Sequence, residues 1–331
     1  MVKKYLEQKR KHHHVWANYL KRWSINGKEV YHSTIKGKIS FDSIKSIAVE
    51  KDFYQIRPLD ARHIEAIKAF SSLSPIELQK LHISYLKDFI EIQKLENHYT
   101  KIGIKNEETE KAIYATKCNL LENLHSAQEN EAREVIESLS NREPDALNSE
   151  KNTINFINFF GHQISRTKTF KDTLLTASLK KDIATGTSLA KNLSECWWFI
   201  SYMLGMNIGA SLYATRKTDK HCILLNDTDI PFITSDQPII NAHTSLREDK
   251  ISPPDDEHCD FYYPITPSVA YMINKSDRFQ RGINQVSIYT VNELNIKLAR
   301  KANVYIVSNS ESSLKPLLKH VGQHFTNVLS S

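Results

Sequence analysis

The chain has 331 residues, enough to bury a large core, and its 40% apolar and 25% charged residues are those of a globular protein. Only 9 glycines, and no G-x-G-x-x-G or G-K-[ST] string, exclude a Gly-rich repeat and a nucleotide-cradling loop. A net charge of +6 and a pI near 8.9 favour polyanionic partners, nucleic acid or a nucleotide, and the most apolar run, Cys196 to Met206, is about half the ~20 residues that span a bilayer, so no membrane partner is expected.

The start of the chain has no apolar leader, and Cys118, Cys196, Cys222 and Cys259 form no C-x-x-C pair, so a cytoplasmic protein with reduced thiols is expected. In chain order, Lys4 to Trp23 is aromatic and polar with poor helical period, and only part of it should be helical. Asn26-Gly27 reads as a hairpin turn between two extendable runs. Glu29 to Ile35 and Lys38 to Phe41 form short strands around a second turn at Lys36-Gly37.

Helices should dominate next. Ser74-Pro75-Ile76-Glu77 combines an N-cap serine, a proline at the first helical position and a capping-box glutamate. Behind it Leu78, Leu81, Tyr85, Phe89, Ile92 and Leu95 form one apolar stripe. A second helix is predicted over Glu107 to Leu139 with Ile113, Leu120, Leu124 and Ile136 inward, and Glu129 to Glu137 as a solvated acidic face. Asn141 to Glu150 reads as a loop, and Ile154 to Thr173 and Leu189 to Leu212 complete the helical layer. Short strands follow at Cys222 to Leu225, Ile230 to Thr234, Ile239 to Asn241, Phe261 to Ile265, Val269 to Ile273 and Val304 to Val307, punctuated by Pro238, Pro253-Pro254 and Pro264. Helices return at Val291 to Lys301 and Leu314 to Phe325. The sum is an α+β fold: small antiparallel sheets at both ends of the chain and a large helical middle block, in one elaborated domain divided into 1–58, 59–215 and 216–331.

Four sets of residues carry candidate chemistry. His12, His13 and His14 concentrate imidazoles, but neighbours in extended chain face opposite ways, so at most two share a site. Metal binding there would need ligands from elsewhere, whereas two neutral imidazoles could serve phosphodiester cleavage, or pack under Trp16 or Trp23. Asp236, in Ser235-Asp236-Gln237-Pro238 after an apolar strand, either projects into a cleft or caps a turn. Gln163 and Arg166 share one helix face and could grip a phosphate, or Arg166 could clamp a carboxylate. His221-Cys222 and His258-Cys259 look like metal ligands, yet each pair splits across its strand.

With these stretches together, the chain resembles the large bacterial family called domain of unknown function 4238. The resemblance rests on His12 and His13 with Tyr19, Leu20 and Trp23; on Glu50, Asp52, Phe53 and Tyr54; on Gln163, Arg166 and Thr167; on Ser235, Asp236 and Pro238; and on Tyr263, Pro264 and Pro267. Val15, Trp16 and Ala17 depart from the usual Val-Pro-Gln and mark a His-Val-Trp branch. The resemblance implies that these elements recur together on one scaffold and supplies no reaction.

The leading expectation is an enzyme acting on a phosphate-containing substrate, a nuclease or nucleotide-acting effector, with a defence role. His12 or His13 would serve as acid-base, and Asp236 would orient the histidine or bind a divalent metal. Gln163 and Arg166 would hold the phosphate, and Tyr54 would offer a hydroxyl or a stacking face. The rival is a non-catalytic binding or interaction module in which the same residues form a buried network. The enzyme needs His12 or His13, Gln163, Arg166 and Asp236 around an open cleft; the module needs them sealed.

Overall fold

The computed structural model describes residues 4–246 and 255–323. The N-terminal segment is mostly irregular. It holds strand β1 (Lys11–His13) and one short helix, α1 (Ala17–Leu20), before the hairpin β2 (Glu29–Ser33) and β3 (Ile39–Ser43) and then β4 (Val49–Lys51). The histidine run is therefore a strand: β1 pairs antiparallel with β4, with His12 opposite Glu50 and His13 opposite Val49. Asn26-Gly27 turns the chain but makes no hairpin, because a 3-10 turn precedes it. The Asn26 side chain accepts from the N–H groups of Lys28 and Glu29, and Gly27 supplies the left-handed φ of +74°.

The helical block comprises α2 (Ala61–Ser71), α3 (Ile76–Ile102), α4 (Glu107–Ser140), α5 (Glu150–Ser165), α6 (Lys168–Thr185), α7 (Leu189–Glu195) and α8 (Trp197–Thr215). Helix α4 starts where expected: Asn106 caps it, accepting from the Thr109 N–H, and Glu107, Glu108 and Glu110 favour the positive end of its dipole. The capping box at Ser74 is absent. Pro75 stands at the N-cap of α3, and the Ser74 hydroxyl instead accepts from the Asn207 side chain. The apolar stripe of α3 is also rotated from the predicted one, with His82, Leu86 and Phe89 inward and Leu81 and Leu95 exposed. The single helix expected over Ile154 to Thr173 breaks at Thr167, which is extended at φ −81°, ψ 155° and caps α6. A second break, at Cys196, separates α7 from α8.

The last third holds β5 (Lys220–Leu225), β6 (Thr234–Ser235), β7 (Ile240–Asn241), β8 (Asp260–Pro264), β9 (Val269–Asn274), β10 (Gly282–Gln285), α9 (Ile288–Lys301), β11 (Ile306–Ser308) and α10 (Glu311–Leu314). A 3-10 turn, Lys315–His320, replaces the continuation of the last predicted helix; Phe325 and Pro253-Pro254 lie outside the described residues. One sheet has the order β10-β5-β9-β8-β7, antiparallel except for the β10–β5 pair. The other, β3-β2-β11-β6, is antiparallel throughout and draws on both ends of the chain, so the N-terminal hairpin is completed by C-terminal strands. The architecture is α+β, as the sequence indicates.

Two apolar clusters flank the signature residues. One, from Val15 to Val307, packs Trp23, Phe156, Phe159, Phe160 and Tyr263 between α4, α5 and the five-stranded sheet. The other gathers Tyr54, Leu121, Trp198 and Tyr202 around α8. Helices α5 and α8 meet at their glycines: a Cβ on Gly161 would lie 2.5 Å from the Gly205 carbonyl oxygen and 2.6 Å from the Gly209 nitrogen. Only glycine permits that approach, and it fixes the C-terminal half of α5 against α8.

Candidate functional site

The end of α5 delivers Gln163 and Arg166 into the seam between these clusters, where Arg166 is 2% exposed. Burying a guanidinium is tolerated only with a partner. Glu129 of α4 provides it, with Oε1 2.7 Å from Arg166 Nη1. Burial works against the Arg166 charge, but Glu129, Tyr54 and Glu122 together outweigh it and keep the guanidinium charged. Gln163 extends the pair: its Oε1 accepts from Arg166, and its Nε2 donates 3.0 Å to the carbonyl of His14 on the N-terminal segment.

Tyr54 closes a second arm. Its hydroxyl donates to the Arg166 carbonyl at 3.0 Å, and its N–H donates to His12 Nδ1 at 2.7 Å. Burial holds that hydroxyl protonated, far above the usual tyrosine range. With Nδ1 accepting, His12 must carry its proton on Nε2, which donates to the Lys9 carbonyl at 2.7 Å. The ring stacks on Tyr54 at 5.5 Å, and burial lowers its pKa. Both nitrogens of His12 are thus committed to main chain.

Four of the six predicted residues, His12, Tyr54, Gln163 and Arg166, therefore come together in one hydrogen-bonded network. His13, half-buried on the same strand, has its pKa lowered chiefly by burial, and no described hydrogen bond joins it to the network. His14 is more deeply placed, against Phe53, and burial drops its pKa to about 3.

Asp236 sits apart. Its Oδ1 accepts from the Asn303 N–H at 2.8 Å, and its Oδ2 accepts from those of Val304 and Tyr305 at 2.7 and 2.9 Å. Burial raises its pKa to about 6 against the opposing pull of the three N–H donors. The carboxylate thus gathers the connection between α9 and β11 and secures the β6–β11 pairing. No described hydrogen bond or ion pair joins Asp236 to His12 or His13. The Ser-Asp-x-Pro segment does reach the Arg166 region, but through its neighbour: the Thr167 hydroxyl donates to the Gln237 side-chain oxygen.

The network includes residues that sequence reasoning passes over. Glu129, expected on a solvated face, is the Arg166 partner; Glu131, Glu134 and Glu137 are exposed as expected. Glu122 lies two helical turns earlier, and burial raises its carboxyl pKa to about 7 against the opposing pull of Arg166. His125 packs on Tyr54 at 4.8 Å and faces His162 at 5.7 Å. His162 lies 4.6 Å from Tyr202, and burial lowers its pKa to about 3. Buried atoms without a hydrogen-bond partner include both nitrogens of His162, Nε2 of His125 and Nε of Arg166. A signal is present in the sequence: Glu122, His125 and Glu129, spaced i, i+3, i+7, continue the helix stripe on which Cys118, Leu121 and Ala132 are buried.

Among the described residues, no group of three or more His, Cys, Asp or Glu side chains is arranged to hold a metal ion. Cys118, Cys196 and Cys222 are buried free thiols, and burial raises those of Cys196 and Cys222 to about 12, so neither of these two is a ready thiolate. No described helix is long and apolar enough to cross a membrane.

The model of one family, described as protein of unknown function (DUF4238), matches residues 11–312. The chain belongs to this family. The matched span contains the network, from His12 of β1 to Arg166, and also the separate Asn303–Tyr305 segment that Asp236 holds. No curated protein and no solved structure matches the chain, so the DUF4238 assignment brings no reaction with it.

Proposed function

We propose that this DUF4238 protein is a non-catalytic binding or interaction module whose signature residues form a structural network. The observation that carries this reading is the sealing of His12, Tyr54, Gln163, Arg166 and Asp236: each is at most 3% exposed, and their polar groups are spent mainly on main chain and on one another. A hydrolytic site needs its acid, base and anion-holding groups within reach of a common, substrate-accessible point. The network docks the histidine strand onto α5, and Asp236 locks the last sheet connection. The net charge of +6 supports nucleic acid or a nucleotide as partner, and the buried free thiols of Cys118, Cys196 and Cys222 support a cytoplasmic, reducing setting.

Asp236→Asn tests this reading. It keeps the side-chain shape but replaces a carboxylate accepting three N–H bonds with an amide, and should cost about 1–3 kcal/mol, seen as a lower melting temperature. Unaltered melting would count against a structural role for Asp236.

The phosphate-substrate hydrolase is a second reading, favoured by one feature: Glu122, with its carboxyl near pKa 7, stands at the partly exposed side of a cluster holding unpartnered His125 and His162 nitrogens. A nuclease or nucleotide-acting effector in defence would use that set. Nucleic-acid cleavage by the purified protein with divalent metal, abolished in a folded Glu122→Gln variant, would establish it; cleavage at the parent rate by that variant would remove it.

A further inference from the structure

A second concentration of charge lies on another face, and no described ion pair joins its central cations to a carboxylate. Helix α8 ends at Thr215, and Arg216 and Lys217 follow it directly. Arg281, just before β10, donates to the Lys217 carbonyl at 3.0 Å and to the Asp219 carbonyl at 2.7 Å, which brings a third cation onto the same short segment. The Arg216 guanidinium is stacked 3.6 Å over the Tyr213 ring and bonds the Tyr213 carbonyl. The Asp219 carboxylate, buried on the same segment, accepts from the Thr215 hydroxyl and lies 3.8 Å from Lys275. Asp219 offsets part of this charge, and the remaining positive field favours an anion.

These cations border a pocket of about 640 Å³ that also takes in His221, Asp145 and Glu150. The volume falls in the ~300–1,000 Å³ range of small-molecule sites and exceeds what a bare inorganic anion needs. Its floor is backed by the buried Ile157, Ile223 and Tyr271, and the apolar side chains partly exposed at its wall are Pro144 and Leu147. The Tyr271 ring is fixed by its hydroxyl bond to His221 Nδ1 and by Phe156, 5.0 Å away edge-on. Of the two carboxylates, Asp145 is engaged by the Asn148 amide and Glu150 by the Tyr213 hydroxyl. Both are acceptors suited to ligand hydroxyls. Cations on one side, apolar wall on the other and hydroxyl acceptors between them describe one ligand class.

We propose that this pocket binds the phosphate monoester of a hydroxylated organic body, of the size of a nucleoside monophosphate. The phosphate sits on Arg216, Lys217 and Arg281, where guanidinium groups can bond it bidentately. The body lies along Pro144 and Leu147. The pocket shares no residue with the Arg166 network, so its failure would leave the sealed-network reading standing.

Calorimetric titration of the full chain with adenosine 5′-monophosphate, and separately with adenosine, tests the assignment. The monophosphate should bind at least about tenfold more tightly than adenosine, and Arg216→Gln with Lys217→Gln should weaken it by about tenfold or more. Lys217→Glu, a change at an exposed side chain, should weaken it comparably and guards against a folding defect in the double variant. No binding of the monophosphate, equal binding of adenosine, or affinity unchanged in both variants would overturn the proposal.

Discussion

The Arg166 core and the Arg216–Arg281 pocket use the same residue type in opposite ways. Arg166 is sealed and paired with Glu129, and its neighbours Gln163 and Tyr54 join it to two other parts of the chain. The pocket arginines face an open volume, and their described bonds go to carbonyl oxygens and an aromatic ring. The difference separates charge that holds the fold from charge left for a ligand, and the family signature falls in the first group.

The sharpest way to break that comparison is to remove one charge from each region. Glu129→Ala leaves the Arg166 guanidinium buried without its counter-ion and should cost about 3–5 kcal/mol in urea unfolding. Arg216→Ala should cost about 0.5 kcal/mol or less, as a surface substitution does. Comparable losses at the two positions would erase the distinction. A smaller effect, about 1–3 kcal/mol, is expected from Gly161→Ala, because the added methyl meets the α8 backbone, which cannot swing aside. In an ordinary helix interior the same change would stabilise, so a gain in melting temperature would show that α5 and α8 are not locked together.

The mildest test uses pH. The Glu122 carboxyl is raised from 4.5 to about 7 on folding. Between those values the folded chain binds more protons than the unfolded one, so this group's contribution falls as pH rises from about 4.5 to 7. Glu122→Gln should match the parent near pH 4.5 and be more stable than it at pH 8, read from urea midpoints. A variant less stable than the parent at pH 8 would mean that the ionised carboxylate is needed in the core.

Much of the fold is legible in the sequence, and the failures have physical causes. Helix α4 and strands β5, β8 and β9 follow directly from capping and from short apolar runs. The signature residues stand out by their chemistry, and His12, Tyr54, Gln163 and Arg166 do converge. Their role is harder to see, because an arginine beside phenylalanines fits a ligand grip and an internal ion pair equally well until its partner is located. That partner, Glu129, stands in a run of acidic residues of which most are solvated, and only its register with Cys118 and Ala132 sets it apart. The short strands β1, β4 and β10 carry too few residues to show a period, and long-range pairing alone defines them. Asp236 reads locally as either a cleft or a turn residue; its three N–H donors come from residues some seventy positions later, beyond local reading.

The central claim, that the signature histidine is fixed in a closed network, is most directly tested by nitrogen chemical shifts of the His12 ring followed through a pH titration. The network requires a neutral ring protonated on Nε2 and bare on Nδ1, with its protonation midpoint lowered by burial below the ordinary histidine value. A midpoint near the ordinary histidine value of about 6.5, or a proton on Nδ1, would show a solvent-accessible imidazole free for acid-base work and would contradict the sealed network.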